Sequence, residues 1–217
     1  MILCDIGNTT FHFKISNSSL KLGVEENLDK LPFFVQKIYF ISVNTKATQK
    51  LLDYYPNAIN IKNMIEFQTS YIGMGIDRQV ICSAIENGIL IDSGSAITVD
   101  IVKHYKHKGG FILPGMDAYK EMYPNISKKL RFKFKTDINL DKIPLNTNDA
   151  INYAILASII LPILNVQKKY NLPLYFTGGN SKQILKYFNK VELEYDSDLI
   201  FHSMKKIIKE NKKIKGK

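Results

Sequence analysis

Apolar positions in this chain fall into short β-branched or aromatic runs alternating with longer stretches of helical period. The runs at residues 1–5, 11–16, 37–43, 88–92, 96–102, 110–113 and 172–177 predict strands. Apolar residues recurring three and four apart predict helices over 45–54, 77–87, 116–129, 148–170, 181–188 and 197–210. Hairpins come first in each half and helices follow. That order predicts paired α/β domains, because a single doubly wound sheet would alternate strand and helix strictly.

The pattern also repeats. Ile2-Leu3-Cys4-Asp5-Ile6-Gly7-Asn8-Thr9 recurs as Leu90-Ile91-Asp92-Ser93-Gly94-Ser95-Ala96, with Asp5 and Gly7 mapping onto Asp92 and Gly94 at one common spacing. Each copy is an apolar strand, a carboxylate at its end, a Gly that permits a tight turn, small hydroxyl or amide residues, and a second strand. Either copy alone reads as ordinary turn chemistry. Turn chemistry does not require both copies to share Asp-x-Gly after an apolar strand. A pair of such hairpins offers backbone N–H groups to phosphate oxygens, and carboxylates that need a cation between themselves and the phosphates. The expectation is a nucleotide held with Mg²⁺ or a monovalent ion.

Composition and charge narrow the function. The 217 residues are 45% hydrophobic with a formal net charge of +10, which fits one large or two small domains and excludes a disordered chain. The charge is uneven, since residues 205–217 alone hold seven Lys and one Glu. Only Arg78 and Arg131 are Arg, although nucleic-acid interfaces lean on Arg for bidentate contacts. One run, Lys128-Lys129-Leu130-Arg131-Phe132-Lys133-Phe134-Lys135, reads either as a stacking platform for bases or as an amphipathic strand. Cys4 and Cys82 sit in apolar runs without zinc or disulfide spacing, which fits a reduced cytoplasm. No uninterrupted apolar run reaches the ~18 residues that would span a bilayer, and Asp5 breaks the first run too early for a signal peptide. No membrane association is expected.

Other segments add candidate chemistry. Gly73-Met74-Gly75-Ile76-Asp77-Arg78 sets Asp77 at a predicted helix start, as a general base, as the helix N-cap, or both. Arg78 could hold an anionic substrate group by its planar fork, or lie on a helix surface. Gly109-Gly110-Phe111-Ile112-Leu113-Pro114-Gly115 is a strand bracketed by turn residues, and Thr177-Gly178-Gly179-Asn180 a strand-to-helix junction. The chain has no Gly-x-x-x-x-Gly-Lys-Ser/Thr loop, no Gly-x-Gly-x-x-Gly after a strand and no Gly-x-Ser-x-Gly elbow. His104 and His107, among Lys103, Lys106 and Lys108, read as a solvated loop.

Taken in order, Asp5-Ile6-Gly7-Asn8-Thr9, Gly75-Ile76-Asp77-Arg78, Asp92-Ser93-Gly94-Ser95-Ala96-Ile97-Thr98-Val99-Asp100, the run 109–115, Asn146-Thr147 and Thr177-Gly178-Gly179 resemble the type III pantothenate kinases. These belong to the actin, heat-shock ATPase and sugar-kinase superfamily. The resemblance implies two ribonuclease-H-like domains, each a mixed β-sheet with flanking helices, with the active site in the cleft between them. We set the boundary near residue 88, giving domains 1–88 and 89–217. It implies ATP-dependent phosphorylation of the primary hydroxyl of pantothenate, the first step towards coenzyme A.

By position, Asp5, Ile6, Gly7, Asn8, Thr9, Thr10, Phe11 and His12 resemble the first ATP hairpin, and Ser95 stands where the family has an ATP-contacting Thr. Gly75, Ile76, Asp77 and Arg78 resemble the pantothenate segment with Asp77 as proton acceptor. Thr147 matches a substrate-contacting Thr, and Tyr71 is the nearest candidate for a pantothenate-binding Tyr, at a spacing to Gly75 that is short for the family. Asp92 resembles the ligand of a monovalent cation, K⁺ or NH₄⁺, used alongside MgATP. The family expectation is a homodimer, to which the apolar helix 148–170 contributes if it is not simply a core helix. The alternatives are another kinase or ATPase of the superfamily, or a basic nucleic-acid-binding regulatory protein.

Overall fold

The computed structural model describes residues 1–29 and 37–215. In chain order the elements are β1 (Ile2–Ile6), β2 (Thr10–Ile15), β3 (Ser18–Gly23), β4 (Ile38–Ser42), α1 (Thr45–Tyr54), β5 (Ile59–Asn60), α2 (Ile76–Ser83), β6 (Asn87–Ser93), β7 (Ala96–Lys103), β8 (Lys106–Pro114), α3 (Met116–Ile126), α4 (Thr147–Tyr170), β9 (Leu174–Thr177), β10 (Leu193–Tyr195) and α5 (Leu199–Lys215). They form two compact units, one of Met1–Ile85 with Asp198–Lys217, the other of Glu86–Ser197.

The units share one plan. The first sheet has the order β3-β2-β1-β4-β5 and the second, read from its other edge, β8-β7-β6-β9-β10. In each, three strands meander antiparallel and two more join parallel to the first strand of the meander. The repeat of Asp-x-Gly in the sequence is therefore a repeat of architecture, an actin-like fold in duplicate.

In the first unit, strand alternation sends Ile2, Cys4, Ile6, Phe11, Phe13, Ile38 and Phe40 to one face, under Ala47 and Leu51 of α1. Leu3, Tyr39 and Ile41 take the other face, against Ile76 and Val80 of α2 and Phe201, Met204, Ile207 and Ile208 of α5. The C-terminal helix thus belongs to the first unit, whereas a single division near residue 88 gives it to the second. The reason is burial: α5 presents its apolar side to a sheet face that α2 alone leaves partly open. A 2.7 Å ion pair from Lys14 to Asp198 ties the helix start to β2.

The second unit packs α4 on its sheet, with Ile151, Ile155, Leu156, Ile159, Ile160 and Ile163 buried against Ile89, Ile91, Val99, Leu174 and Phe176. By length and composition α4 passes as a membrane span, contrary to the expectation from uninterrupted runs, and it is the one such helix among the described residues. Its buried isoleucines are spent on the core of this unit.

Several expectations shift in detail. Residues 181–188 form two 3-10 turns, Ser181–Gln183 and Leu185–Phe188, which still bury Ile184 and Phe188. The short strands β3, β5 and β10 carry too few apolar residues to announce themselves. The alternating Lys-Phe run is no strand: Phe132 and Phe134 pack on the core while the N–H groups of Lys133 and Lys135 donate to the Oδ1 atoms of Asn148 and Asn152, at 2.7 and 2.8 Å. His107 is no loop residue either. It lies buried in β8 with Nε2 2.8 Å from Oδ1 of Asp100, so Asp100 of the second motif serves this pair.

Candidate active site

Within the first unit three segments meet at the carboxyl end of the central strands. Asp5 stands one residue before the end of β1, on the face of Leu3, and the turn after the strand is closed by the Gly7 N–H donating to the Thr10 carbonyl at 2.9 Å. Asn8 and Thr9 are exposed at its tip. Ile6 accepts from Val43 N–H at 3.0 Å, and the Asn8 carbonyl accepts from Asn44 Nδ2 at 3.2 Å. The side chains of Phe11 and His12 are engaged elsewhere: Phe11 is fully buried, and His12 stacks edge-on with Phe201 at 4.7 Å and bonds Ser19 Oγ at 2.6 Å. Any nucleotide contact from these two runs through backbone.

His12 is held neutral. Burial pushes its pKa down to about 4, helped by the charge of Lys21 directly across the strand pair and of Lys14, against the opposing pull of Asp198.

The acceptor segment opens α2. Gly75, not Asp77, is the N-cap residue, and Asp77 sits in the first turn with Oδ1 accepting the N–H of Arg78 at 2.8 Å. A Cβ on Gly75 would lie 2.5 Å from that oxygen and 3.9 Å from Val43 Cγ1, so the absent side chain leaves room for the carboxylate. Arg78 is buried, its guanidinium carbon 4.8 Å above the ring of Tyr71. Ile76 faces the core.

In the second unit the hairpin of Asp92, Gly94 and Ser95 collects the remaining Gly motifs. Asp92 pairs with Thr177 on β9. Gly178 has φ +87°, and a Cβ there would collide with Asp92 Oδ1 and the Ser93 carbonyl, so only Gly lets this loop lie against the carboxylate. Gly115 N–H donates to the Ser95 carbonyl at 3.2 Å, which draws the 109–115 motif to the same turn. Ser95 itself is exposed. Thr147 lies apart from these, at the start of α4, where Asn146 caps the helix and where an apolar cavity of about 600 Å³ is lined by Tyr123, Leu130, Leu145, Thr147, Ala150 and Ala154.

A cation beside Asp5 or Asp92 would draw few protein ligands, since no group of three His, Cys, Asp or Glu able to hold a metal occurs among the described residues. One carboxylate with phosphate oxygens and water is a donor set that suits Mg²⁺ on a nucleotide.

The order and spacing of these motifs match known proteins. The model of the type III pantothenate kinase family matches residues 1–169. The chain belongs to this family. Similar members are the type III pantothenate kinases of Helicobacter hepaticus, 41% identical over 96% of this chain and 98% of the relative, and of Helicobacter pylori strain HPAG1, 45% identical over 85% and 81%. A crystal structure from Campylobacter jejuni, provisionally assigned to the Baf family of transcriptional activators, superposes with TM-score 0.84 at 40% identity, over 98% of this chain and 100% of that one. Apo pSK41 ParM gives TM-score 0.50 at 10% identity, over 99% and 97%, a likeness of fold alone.

Asn44 escaped the reading of motifs in this family member. Its only sequence signal is its place as the polar residue between a strand and a helix, where Asn ordinarily caps.

Proposed function

We propose that this chain transfers the γ-phosphoryl group of ATP to the primary hydroxyl of pantothenate, giving 4'-phosphopantothenate and ADP, the first step of coenzyme A biosynthesis. The observation that carries this reading is the start of α2, where Gly75 makes room for the Asp77 carboxylate and the next residue is a buried cationic Arg78. Phosphate hairpins are common to many nucleotide enzymes, and this segment is what names the acceptor.

Each residue has a role in that reaction. The exposed tip at Asn8 and Thr9 supplies backbone N–H groups to the phosphates, and Ser95 adds a hydroxyl. Asp77 accepts the proton as the acceptor oxygen forms its bond to phosphorus and the bond to the ADP oxygen breaks. Arg78 balances the pantothenate carboxylate, with Thr147 as a further contact. Mg²⁺, held by the phosphates near Asp5, neutralises charge on the transferring group. Asp92, cradled by Gly178, holds a monovalent cation, K⁺ or NH₄⁺.

Several observations support a homodimer in the cytoplasm. The exposed side of α4 and its approach carry Leu161, Ala150, Ala154, Leu145 and Ile143, with Leu145 99% and Ile143 76% exposed. Apolar surface of this kind is usually covered by a partner. Cys4 and Cys82 are buried thiols without the spacing of a zinc site, which fits a reducing compartment. The regulatory reading finds no platform for bases, because the rings of Phe132 and Phe134 pack inward.

The test is ADP release with MgATP and K⁺, comparing pantothenate, a panel of sugars, acetate and no acceptor. Turnover dependent on pantothenate is expected, together with a loss of kcat in Asp77→Asn of about a hundredfold or more, the usual worth of a positioned base. Equal turnover without pantothenate, or an Asp77→Asn variant at the parent rate, overturns the assignment.

A further inference from the structure

The two units are built alike, and the comparison points to a residue that no motif marks. Asp5 pairs with Ile41 on β4, and its counterpart Asp92 pairs with Thr177 on β9. The residues that follow, Ser42-Val43-Asn44 in one unit and Gly178-Gly179-Asn180 in the other, therefore occupy equivalent places beside the two hairpins. In the second unit the backbone of Gly178 lies against Asp92 and Ser93, and the backbone N–H of Asn180 donates to the Ser93 carbonyl at 3.0 Å. In the first the contact is made by the side chain of Asn44.

Asn44 works in two directions. Its Oδ1 accepts the N–H of Ala47 at 3.1 Å and so caps α1, while its Nδ2 donates to the carbonyl of Asn8 at 3.2 Å. Its own position is pinned by its N–H on Ser42 Oγ and by the neighbouring Val43 N–H on Ile6, both 3.0 Å. Because a peptide unit is planar and trans, holding the Asn8 carbonyl towards α1 aims the N–H of Thr9 the opposite way. That N–H is one of the phosphate donors assigned above.

We infer that Asn44 is a positioning residue for nucleotide binding: it anchors the Asn8–Thr9 peptide to the rigid end of α1 so that the Thr9 N–H is set before ATP arrives. The inference rests on the hairpin being the phosphate site, though not on pantothenate being the acceptor. A preset donor binds more tightly than one that must be ordered on binding.

Serine separates the two jobs, because it caps a helix about as well as Asn but is too short to reach Asn8. For Asn44→Ser we expect MgATP affinity, measured by calorimetry without any acceptor, to fall about threefold to tenfold, the worth of one hydrogen bond. KM for ATP rises in step while KM for pantothenate and Tm stay at the parent values. Asn44→Ala loses the same ATP affinity and also loses Tm through the missing cap. Parent-like ATP affinity in Asn44→Ser overturns the inference, as does a rise in both KM values accompanied by a fall in Tm, which would mark general loosening. A parent that binds MgATP but phosphorylates no pantothenate would sink the acceptor assignment alone, and the calorimetric comparison would still decide the role of Asn44.

Discussion

Arg78 lies over the ring of Tyr71, its guanidinium carbon 4.8 Å from the centroid, with only 5% of the residue exposed. Sequence position makes Tyr71 a candidate for touching pantothenate directly. Its ring also holds the Arg78 guanidinium, the cation proposed to meet the substrate carboxylate. A desolvated cation–π contact contributes about 1–2 kcal/mol. Tyr71→Phe, which keeps the ring, is expected to match the parent, whereas Tyr71→Leu raises KM for pantothenate about tenfold with little change in KM for ATP. Steady-state kinetics on both variants decide it: a Phe variant as impaired as the Leu variant would mean the hydroxyl touches substrate.

Gly178 lies hard against the Asp92 end of the second hairpin. Alanine there meets a positive φ and the Asp92 carboxylate together, a combination that costs about 2 kcal/mol or more. We expect Gly178→Ala to lower Tm and to raise the K⁺ concentration giving half-maximal activity. Gly179→Ala, with open space around its Cβ position, is the control and leaves both near the parent. Identical K⁺ activation in the two variants would remove Asp92 from the proposed cation site.

The duplicated plan was legible from Asp5, Gly7, Asp92 and Gly94 because backbone turns repeat their chemistry in sequence. The convergence of Gly115 and Gly178 on one turn was not, since it depends on strand order that no local pattern carries. His107 misled for a related reason. Lys106 and Lys108 mark the solvent side of β8 and Lys103 the end of β7, while the ring itself turns inward to Asp100. The assignment of residues 198–217 to the first unit was hidden as well, because an amphipathic helix declares that it has a face to bury but not which sheet will receive it. Asn44 was invisible because its cap is ordinary, and its bond to Asn8 crosses 36 residues of chain.

Ser93 shares the face of Ile89 and Ile91 on β6 and is fully buried, and its hydroxyl has no hydrogen-bond partner among the described residues. A buried hydroxyl without a partner costs about 1–3 kcal/mol of desolvation. Ser93→Ala removes the cost at almost no change of volume. The variant is expected to gain about 1 kcal/mol, or roughly 2–4 °C in Tm for a chain of this size. Thermal unfolding measures it, and a lower Tm than the parent would mean that the hydroxyl has a partner within the fold.

His12 makes the fold sensitive to acid. Its pKa of about 4 in the folded chain lies below the value of about 6.5 expected once unfolded, so between those limits the unfolded state binds more protons. Stability contributed by the neutral ring is thus complete above pH ~6.5 and is lost as pH falls towards 4. Burial, with Phe201 of α5 packed on the ring edge, sets the direction first, and the charges of Lys21 and Lys14 add to it against the opposing pull of Asp198. Tm measured from pH 7 down to 4 should therefore fall less steeply in His12→Gln than in the parent. The His12 ring should titrate near pH 4 by NMR, and titration near 6.5 with parallel Tm curves would refute the assignment.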